Sequence, residues 1–450
     1  MLVSKITLLS LLASHLNAQP TNELSAAYGE NIYARLWRTA LTGNLKEGSV
    51  DAWPHYTQGA YNNTSPSEVT PGVYVNTEAS GWTSGFFPDA LWQLHRRQKS
   101  LCHQPFEGAP STDQWVVMAQ AWTSPLQSNS NLTSTHDLGF LAKPFESAMQ
   151  INGDNWLSVL QNMSNNLANR FEPNAGIIRS WDCNNASSSA WCSHEDSVLV
   201  IIDNMMNLAL LVRSASNYTH NQTLLDIAKS HADRTIANHV RQDGSSYHVC
   251  DYSSTSGDVY LCRTAQGLAD DSTWARGQAW GLYGFAELYS LTGQLPYLHA
   301  SMEMADWFIE HLPADGLPFW DFDADYVPDL TPRDSSAATI AASGMLLLQE
   351  QVFASCYAGI ARNYKVAAVN LLTASIKLAL AGEITFSDMP PLGADTYLST
   401  AASTAESEGF EAILLHGTSN NNPKADPKLF DIGLSYGDFY LIEAANRLLE

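Results

Sequence analysis

The run from Ser197 to Val212, SVLVIIDNMMNLALLV, holds one acidic side chain, Asp203, among apolar neighbours. A carboxyl group taken out of water without a partner keeps its proton to higher pH, which is what a general acid requires. The ordinary alternative is a carboxylate satisfied by Asn204 or Asn207. A second carboxylate, Asp137, follows His136 in STHDLGFL, at a polar-to-apolar boundary where aspartate commonly caps a helix. A third cluster lies in STWARGQAWGLYGF, Ser272 to Phe285, which has helical periodicity and two stripes. One stripe is Gly277, Gly281 and Gly284; the other is Arg276, Trp280 and Tyr283. Each interior glycine costs about 1 kcal/mol of helix stability relative to alanine, so the first stripe implies a closely approaching neighbour. The second, a cation beside two aromatic rings, suits the wall of a cavity that receives an anionic ligand; a packed helix with a surface arginine is the plainer reading. Carboxylates among 13 Trp and 18 Tyr point to acid–base chemistry on sugar rings, although many of these rings must fill the core.

Other chemistries find no motif. There is no phosphate-binding glycine loop, no dinucleotide fingerprint and no G-x-S-x-G elbow. HEDS at His194 lacks the second histidine of a metalloprotease helix, and no Cys/His spacing suits zinc, so no metal site is expected. The formal charge of −23, from 23 Lys+Arg against 46 Asp+Glu, argues against nucleic acid or anionic membrane as partner. Any anionic substrate must then be held by a few local cations.

The first 18 residues, with Lys5 ahead of an apolar run from Ile6 to Leu12 and small residues before Gln19, read as a secretory signal peptide. Residues 19–450 are read as a single secreted domain. Asn-x-Ser/Thr sequons at Asn62, Asn63, Asn131, Asn162, Asn185, Asn217 and Asn221 agree with an extracellular protein. Of the six cysteines, Cys183 with Cys192 and Cys250 with Cys262 are the economical local pairs, leaving Cys102 and Cys356.

Helical periodicity recurs near 23–42, 85–100, 112–126, 147–169, 196–216, 221–239, 273–291, 294–311, 335–354, 361–381, 403–415 and 431–449. Strand-like alternation is confined mainly to a hairpin between Ser246 and Arg263. Twelve helices in short-looped pairs predict an all-α fold, an (α/α)6 barrel of six inner and six outer helices with a short β-hairpin. An irregular α-solenoid fits the count nearly as well but would lack its repeat. Asp334 in TPRDSSAATIAASG should open one of the helices.

Taken together, IIDNMMNLALL, STWARGQAWGLYGF, RDSSAATIAASG, LSYGDFYLIEA, GWTSGFFPDALW and HDLGF resemble glycoside hydrolase family 88, the unsaturated glucuronyl hydrolases, from about position 80 to the C-terminus. The resemblance implies an (α/α)6 barrel. It also implies removal of the unsaturated uronic acid that polysaccharide lyases leave at a non-reducing end, by hydration of its C4=C5 bond. It makes Asp203 the general acid/base and Asp137 its assistant, with His136 alongside. It carries substrate binding onto His136, His248, Gln266, Arg276 and Trp280, with Arg276 set to pair with the uronate carboxylate and Trp280 to stack on the sugar. It calls for no metal and no organic cofactor. Two departures stand out: Ala265 precedes Gln266 where many relatives have histidine, and Phe87 ends GFF where GFW is common, which implies a smaller stacking surface. Family 105, the unsaturated rhamnogalacturonyl hydrolases, is the nearest rival, but its arginine motif usually reads RGNGW where this chain has RGQAW. An inverting glycosidase and a non-catalytic glycan-binding protein are the readings from other classes.

Overall fold

The computed structural model describes residues 23–42, 45–46, 49–59, 71–101, 106–183, 192–355, 363–388 and 410–450. The expected signal peptide, Asn62, Asn63, Asn185, Cys102, Cys356 and most of the helix expected over 403–415 lie outside these residues; its described part, 410–415, is not helical.

Twelve α-helices occur among the described residues. They are α1 Glu30–Thr42, α2 Phe86–Ser100, α3 Thr112–Thr123, α4 Leu138–Asn152, α5 Leu157–Ala168, α6 Leu208–Arg213, α7 Gln222–Asn238, α8 Ala275–Thr292, α9 Leu295–Glu310, α10 Ser335–Ala354, α11 Tyr364–Ala379 and α12 Ser435–Leu449. The even-numbered helices form a closed ring, each touching the next and α12 returning to α2, while α3, α5, α7, α9 and α11 pack outside the helix that precedes them. This is the (α/α)6 barrel that the helix count predicts. Inner helices meet neighbours on every side: α8 is buried from Ala275 to Leu288 and α10 from Ser335 to Gln349. Such helices are necessarily apolar nearly all round.

The inner helices run the same way, so their N-termini share one end of the barrel. At that end Arg276 of α8 bonds Asp334 at the start of α10, and Trp82, just before α2, packs on Tyr436 of α12. At the other end, Arg213 of α6 pairs with Glu146 of α4 and Glu287 of α8. The two ends are separated by a floor of fully buried rings. Phe86, Phe140, Trp280 and Tyr440 make a circuit from four inner helices, with successive centroids 5.4, 5.1, 5.4 and 5.8 Å apart.

Two further sequence expectations are corrected. The segment 196–216 is not one buried helix. Ser197–Ile201 is a strand, β1, followed by a 3-10 turn at Ile202–Met206 and then by short α6. An apolar run buried on both faces fits helix and strand equally. Here Val198, Val200 and Ile201 favour the strand, and the ladder partner is β2, Val249–Ser253, paired from Ser197↔Ser253 to Ile201↔Val249. The expected hairpin forms from β2 and β3, Val259–Arg263, making a three-stranded sheet with β1. Likewise 147–169 is two helices: α4 already begins at Leu138, runs through Pro144 and stops where Gly153 adopts a left-handed φ of 76°. The two local disulfides, Cys183–Cys192 and Cys250–Cys262, are formed as expected.

The glycine stripe of α8 lies against the 3-10 turn. A Cβ on Gly277 would sit 3.2 Å from the Ile202 side chain, and one on Gly284 would sit 2.6 Å from Met205 Cβ and 2.7 Å from its carbonyl carbon. Backbone cannot yield as a side-chain tip can, so Gly284→Ala is expected to destabilise the protein by about 1–3 kcal/mol, the range for overpacking. It should also lower turnover. Urea unfolding alongside an activity assay measures both.

Candidate active site

Asp203 sits in the turn that follows β1, where Ile202 N donates to His248 O at 3.0 Å. The residue keeps part of its surface open, while Oδ1 is sealed from solvent without a hydrogen-bond partner among the described residues. Burial, reinforced by the neighbouring Asp137, pushes its pKa up to about 7, against the opposing pull of Arg276. Such a group holds its proton in mildly acidic solution and returns it near neutrality.

Asp137 occupies the position before α4, yet its side chain makes no cap bond. Thr135 Oγ1 donates to Oδ2 at 2.6 Å, and His136 Nε2 lies 3.3 Å from Oδ1. Ser180 Oγ accepts from Ile201 N at 3.0 Å and meets His136 Nδ1 at 3.1 Å. With Ser180 donating to Nδ1, the proton of His136 sits on Nε2 and faces Asp137. Burial lowers the His136 pKa and keeps the ring neutral. The glycine of HDLGF explains how the two carboxylates meet. A Cβ on Gly139 would lie 2.5 Å from Asn207 Cα, and Asn207 Oδ1 accepts from Phe140 N at 3.1 Å. This contact presses the start of α4 against the end of the Asp203 turn.

His248 immediately precedes β2. The N–H groups of Ala265 and Gln266 point at its Nδ1 from 3.2 and 3.4 Å, so Nδ1 accepts and the ring proton sits on Nε2. Burial, with the positive charge of Arg276 nearby, holds the His248 pKa well below the usual value. The ring is therefore a neutral N–H donor, and Nε2 has no partner among the described residues. Gln266 is half-buried and donates through Nε2 to Ser419 O at 2.8 Å.

Arg276 and Trp280 differ from the sequence expectation. The Arg276 guanidinium is buried and already engaged: Nη1 with Asp334 Oδ2 at 2.9 Å and with Thr418 O, Nη2 with Ser419 O at 2.7 Å. The planar fork assigned to a substrate carboxylate is closed here on Asp334 and on the strand β4, Gly417–Asn420. Trp280 is 0% exposed and belongs to the aromatic floor, so it offers no open ring face. Phe87 is turned outward onto Trp122 of α3, with centroids 4.7 Å apart, and so sets no stacking surface at the mouth. Ala265 packs into a small apolar cluster with Leu199, Ile201 and Val249.

Three rings at the mouth escaped the sequence reading. Trp274 lies between the His248 ring, 4.3 Å away, and the Arg276 guanidinium, 4.5 Å away. Tyr436 flanks Arg276 from α12 at 5.3 Å, and half-buried Trp82 packs on Tyr436 at 4.9 Å. Each stands within a turn or so of an inner-helix start, which is the signal that would have found them. A cavity of about 980 Å3 is lined by Thr133, Arg170, Asp182 and His194 among others, and by none of the sequence-predicted site residues. Among the described residues no group of three or more His, Cys, Asp or Glu is placed to hold a metal ion.

An (α/α)6 barrel with a proton-retaining carboxyl group beside a second carboxylate at its mouth fits a glycoside hydrolase. The sequence matches no family model. It is 32% identical over 402 residues to the unsaturated glucuronyl hydrolase of Formosa agariphila, covering 87% of this chain and 86% of that one. It is 30% identical over 311 residues to the unsaturated glucuronyl hydrolase of a Bacillus species, covering 69% and 74%. A solved unsaturated glucuronyl hydrolase specific for heparin superposes with a TM-score of 0.74 at 29% identity, over 95% of this chain and 96% of that one. The chain belongs to the unsaturated glucuronyl hydrolases.

Asp203→Asn keeps the shape of the side chain and removes its transferable proton. Turnover is expected to fall at least about 100-fold, the low end for general acid–base catalysis, with an unchanged circular-dichroism spectrum. In the parent enzyme kcat/KM should decline as pH rises through about 7, because Asp203 ionises there in the free protein. A profile that keeps rising past this point would assign the proton elsewhere.

Proposed function

We propose that the enzyme removes a 4,5-unsaturated uronic acid from the non-reducing end of lyase-generated oligosaccharides by hydrating the C4=C5 bond. The observation that carries this reading is the placement of Asp203, one oxygen sealed from solvent without a partner among the described residues, beside a second carboxylate. Asp203 gives its proton to C4 of the enol ether, leaving cationic character on C5 and the ring oxygen. Water adds at C5, and its surplus proton returns to the Asp203 carboxylate. The resulting hemiketal opens to a 5-keto product, and the aglycone leaves. Asp137, oriented by Thr135 and His136, stabilises the developing positive charge. His248 and Gln266 supply donors for sugar oxygens. Arg276 contributes a fixed positive charge beside the acid, suited to a substrate that carries a carboxylate.

The inner-helix N-termini add a favourable potential for that anion at the same end of the barrel. The solved relative's specificity for heparin puts glycosaminoglycan fragments first among substrates to try. We also propose that residues 19–450 act as one secreted catalytic unit. Two disulfides support this, as do the exposed sequon asparagines Asn131, Asn162, Asn217 and Asn221. No helix among the described residues is long and apolar enough to cross a membrane.

Reaction in deuterated water separates hydration from ordinary glycoside hydrolysis. Lyase-digested glycosaminoglycan disaccharides should lose their alkene absorbance and acquire deuterium at C4 of the released uronate, read by NMR early, before enolisation scrambles the label. A product that retains its double bond, with no label at C4, would reject hydration and support attack at the anomeric carbon.

A further inference from the structure

The catalytic residues leave one buried charge at the mouth without a role. Asp334 is 0% exposed and stands before α10, where a helix cap would suffice to explain an aspartate. Its bonds go further than a cap. Oδ1 accepts from Ser336 N at 3.0 Å, from Ser336 Oγ at 2.6 Å and from Thr418 N at 3.4 Å. Oδ2 accepts from Arg276 Nη1 at 2.9 Å. Arg276 in turn holds the carbonyls of Thr418 and Ser419. The Ser419 carbonyl also receives Gln266, whose backbone N–H points at His248. One carboxylate on α10 thus anchors a guanidinium on α8 and strand β4, and beyond them the amide of Gln266.

The geometry points to Asp334 as a positioning residue that aims Arg276 and offsets its charge, and so governs how readily Asp203 gives up its proton. This rests on the reading of Asp203 as the general acid. The groups facing Asp203 are Asp137 from α4, Arg276 from α8 and Tyr436 from α12; His248 stands beside Arg276, and Asp334 lies behind it. Tyr436, pushed up to about 12 mainly by burial, stays neutral throughout the working range. Buried His248 is neutral as well. Asp137, Arg276 and Asp334 are therefore the charges that set the balance at Asp203. Arg276 stabilises the ionised form of Asp203, and Asp334 diminishes that effect by pairing with it.

The sign follows directly. Asparagine can still accept from Ser336 N and is as good a cap as aspartate, but it carries no charge. In Asp334→Asn the positive charge of Arg276 reaches Asp203 undiminished, so the acid ionises earlier. The alkaline limb of kcat/KM should move to lower pH by about half a unit or more, roughly a threefold change in proton affinity. Ser336→Ala removes a partner of Asp334 while keeping its charge, and should leave the limb where it is.

Stripping one member of a buried pair can compromise folding, so a second comparison includes the double variant, in which neither member is charged. Arg276→Gln should move the limb to higher pH, and adding Asp334→Asn to it should bring the limb back down. The position of each limb is the readout, measured as alkene absorbance loss with lyase-generated glycosaminoglycan disaccharides. Limbs that coincide between Arg276→Gln and the double variant, or a folded Asp334→Asn with an unmoved limb, would overturn the inference. Near-normal turnover in Asp203→Asn would instead sink the underlying assignment of the acid. An inactive Asp203→Asn with unmoved limbs rejects only the role given to Asp334.

Discussion

The close approach of the 202–206 turn to α8 sets the geometry at the barrel mouth. Gly277 and Gly284 remove the side chains that would otherwise hold Ile202 and Met205 away. The turn is thereby pressed onto an inner helix, which strips water from one oxygen of Asp203 while the rest of the residue stays open to the mouth. A second glycine contact, Gly139 on Asn207, fixes the same turn from the side of α4 and brings Asp137 toward it. The acid's chemistry is therefore a packing property. Desolvation raises its proton affinity, and desolvation here depends on glycines that cost helix stability when considered alone.

Electrostatics then tunes what packing creates. A chain with a formal charge of −23 offers little long-range attraction to an anion, so the positive character near Asp203 has to be local. Arg276 supplies it from a buried position, held by one carboxylate and two backbone carbonyls rather than by solvent. His248 adds polarity without charge, since burial and Arg276 together keep its ring neutral. The mouth thus combines a carboxyl group of raised proton affinity, a second carboxylate, a buried guanidinium and a neutral imidazole donor.

Much of this was legible in the sequence, for identifiable reasons. Amphipathic and all-apolar helices announce themselves by period, so the double ring of helices could be counted. Asp203 stood out because a lone acid in an apolar run has few explanations. Its secondary structure was misread for the same cause: a run buried on both faces loses the alternation that distinguishes strand from helix, and only the ladder to Val249–Ser253 decides. The roles of Arg276 and Trp280 were harder to read. Spacing puts both on the face of α8 that turns inward, but cannot tell that Asp334, 58 residues on, reaches the guanidinium first. Nor can it tell that Phe140 and Tyr440 close over the indole. Trp82, Trp274 and Tyr436 were missed because they lie at helix starts, where periodicity gives no bearing.

The aromatic floor has a consequence for how the enzyme meets a polymer. Rings from Phe86, Phe140, Trp280 and Tyr440 touch in a circuit and are sealed from solvent, so the barrel is a cul-de-sac rather than a tunnel. Beneath them a separate cavity of about 220 Å3 is lined by charged side chains, among them Glu443, which accepts from Tyr283 and Ser343. A glycan strand cannot be threaded through and advanced one unit at a time. Whatever enters must back out by the way it came, so only the end of a chain can approach Asp203, and both pieces leave through the same opening.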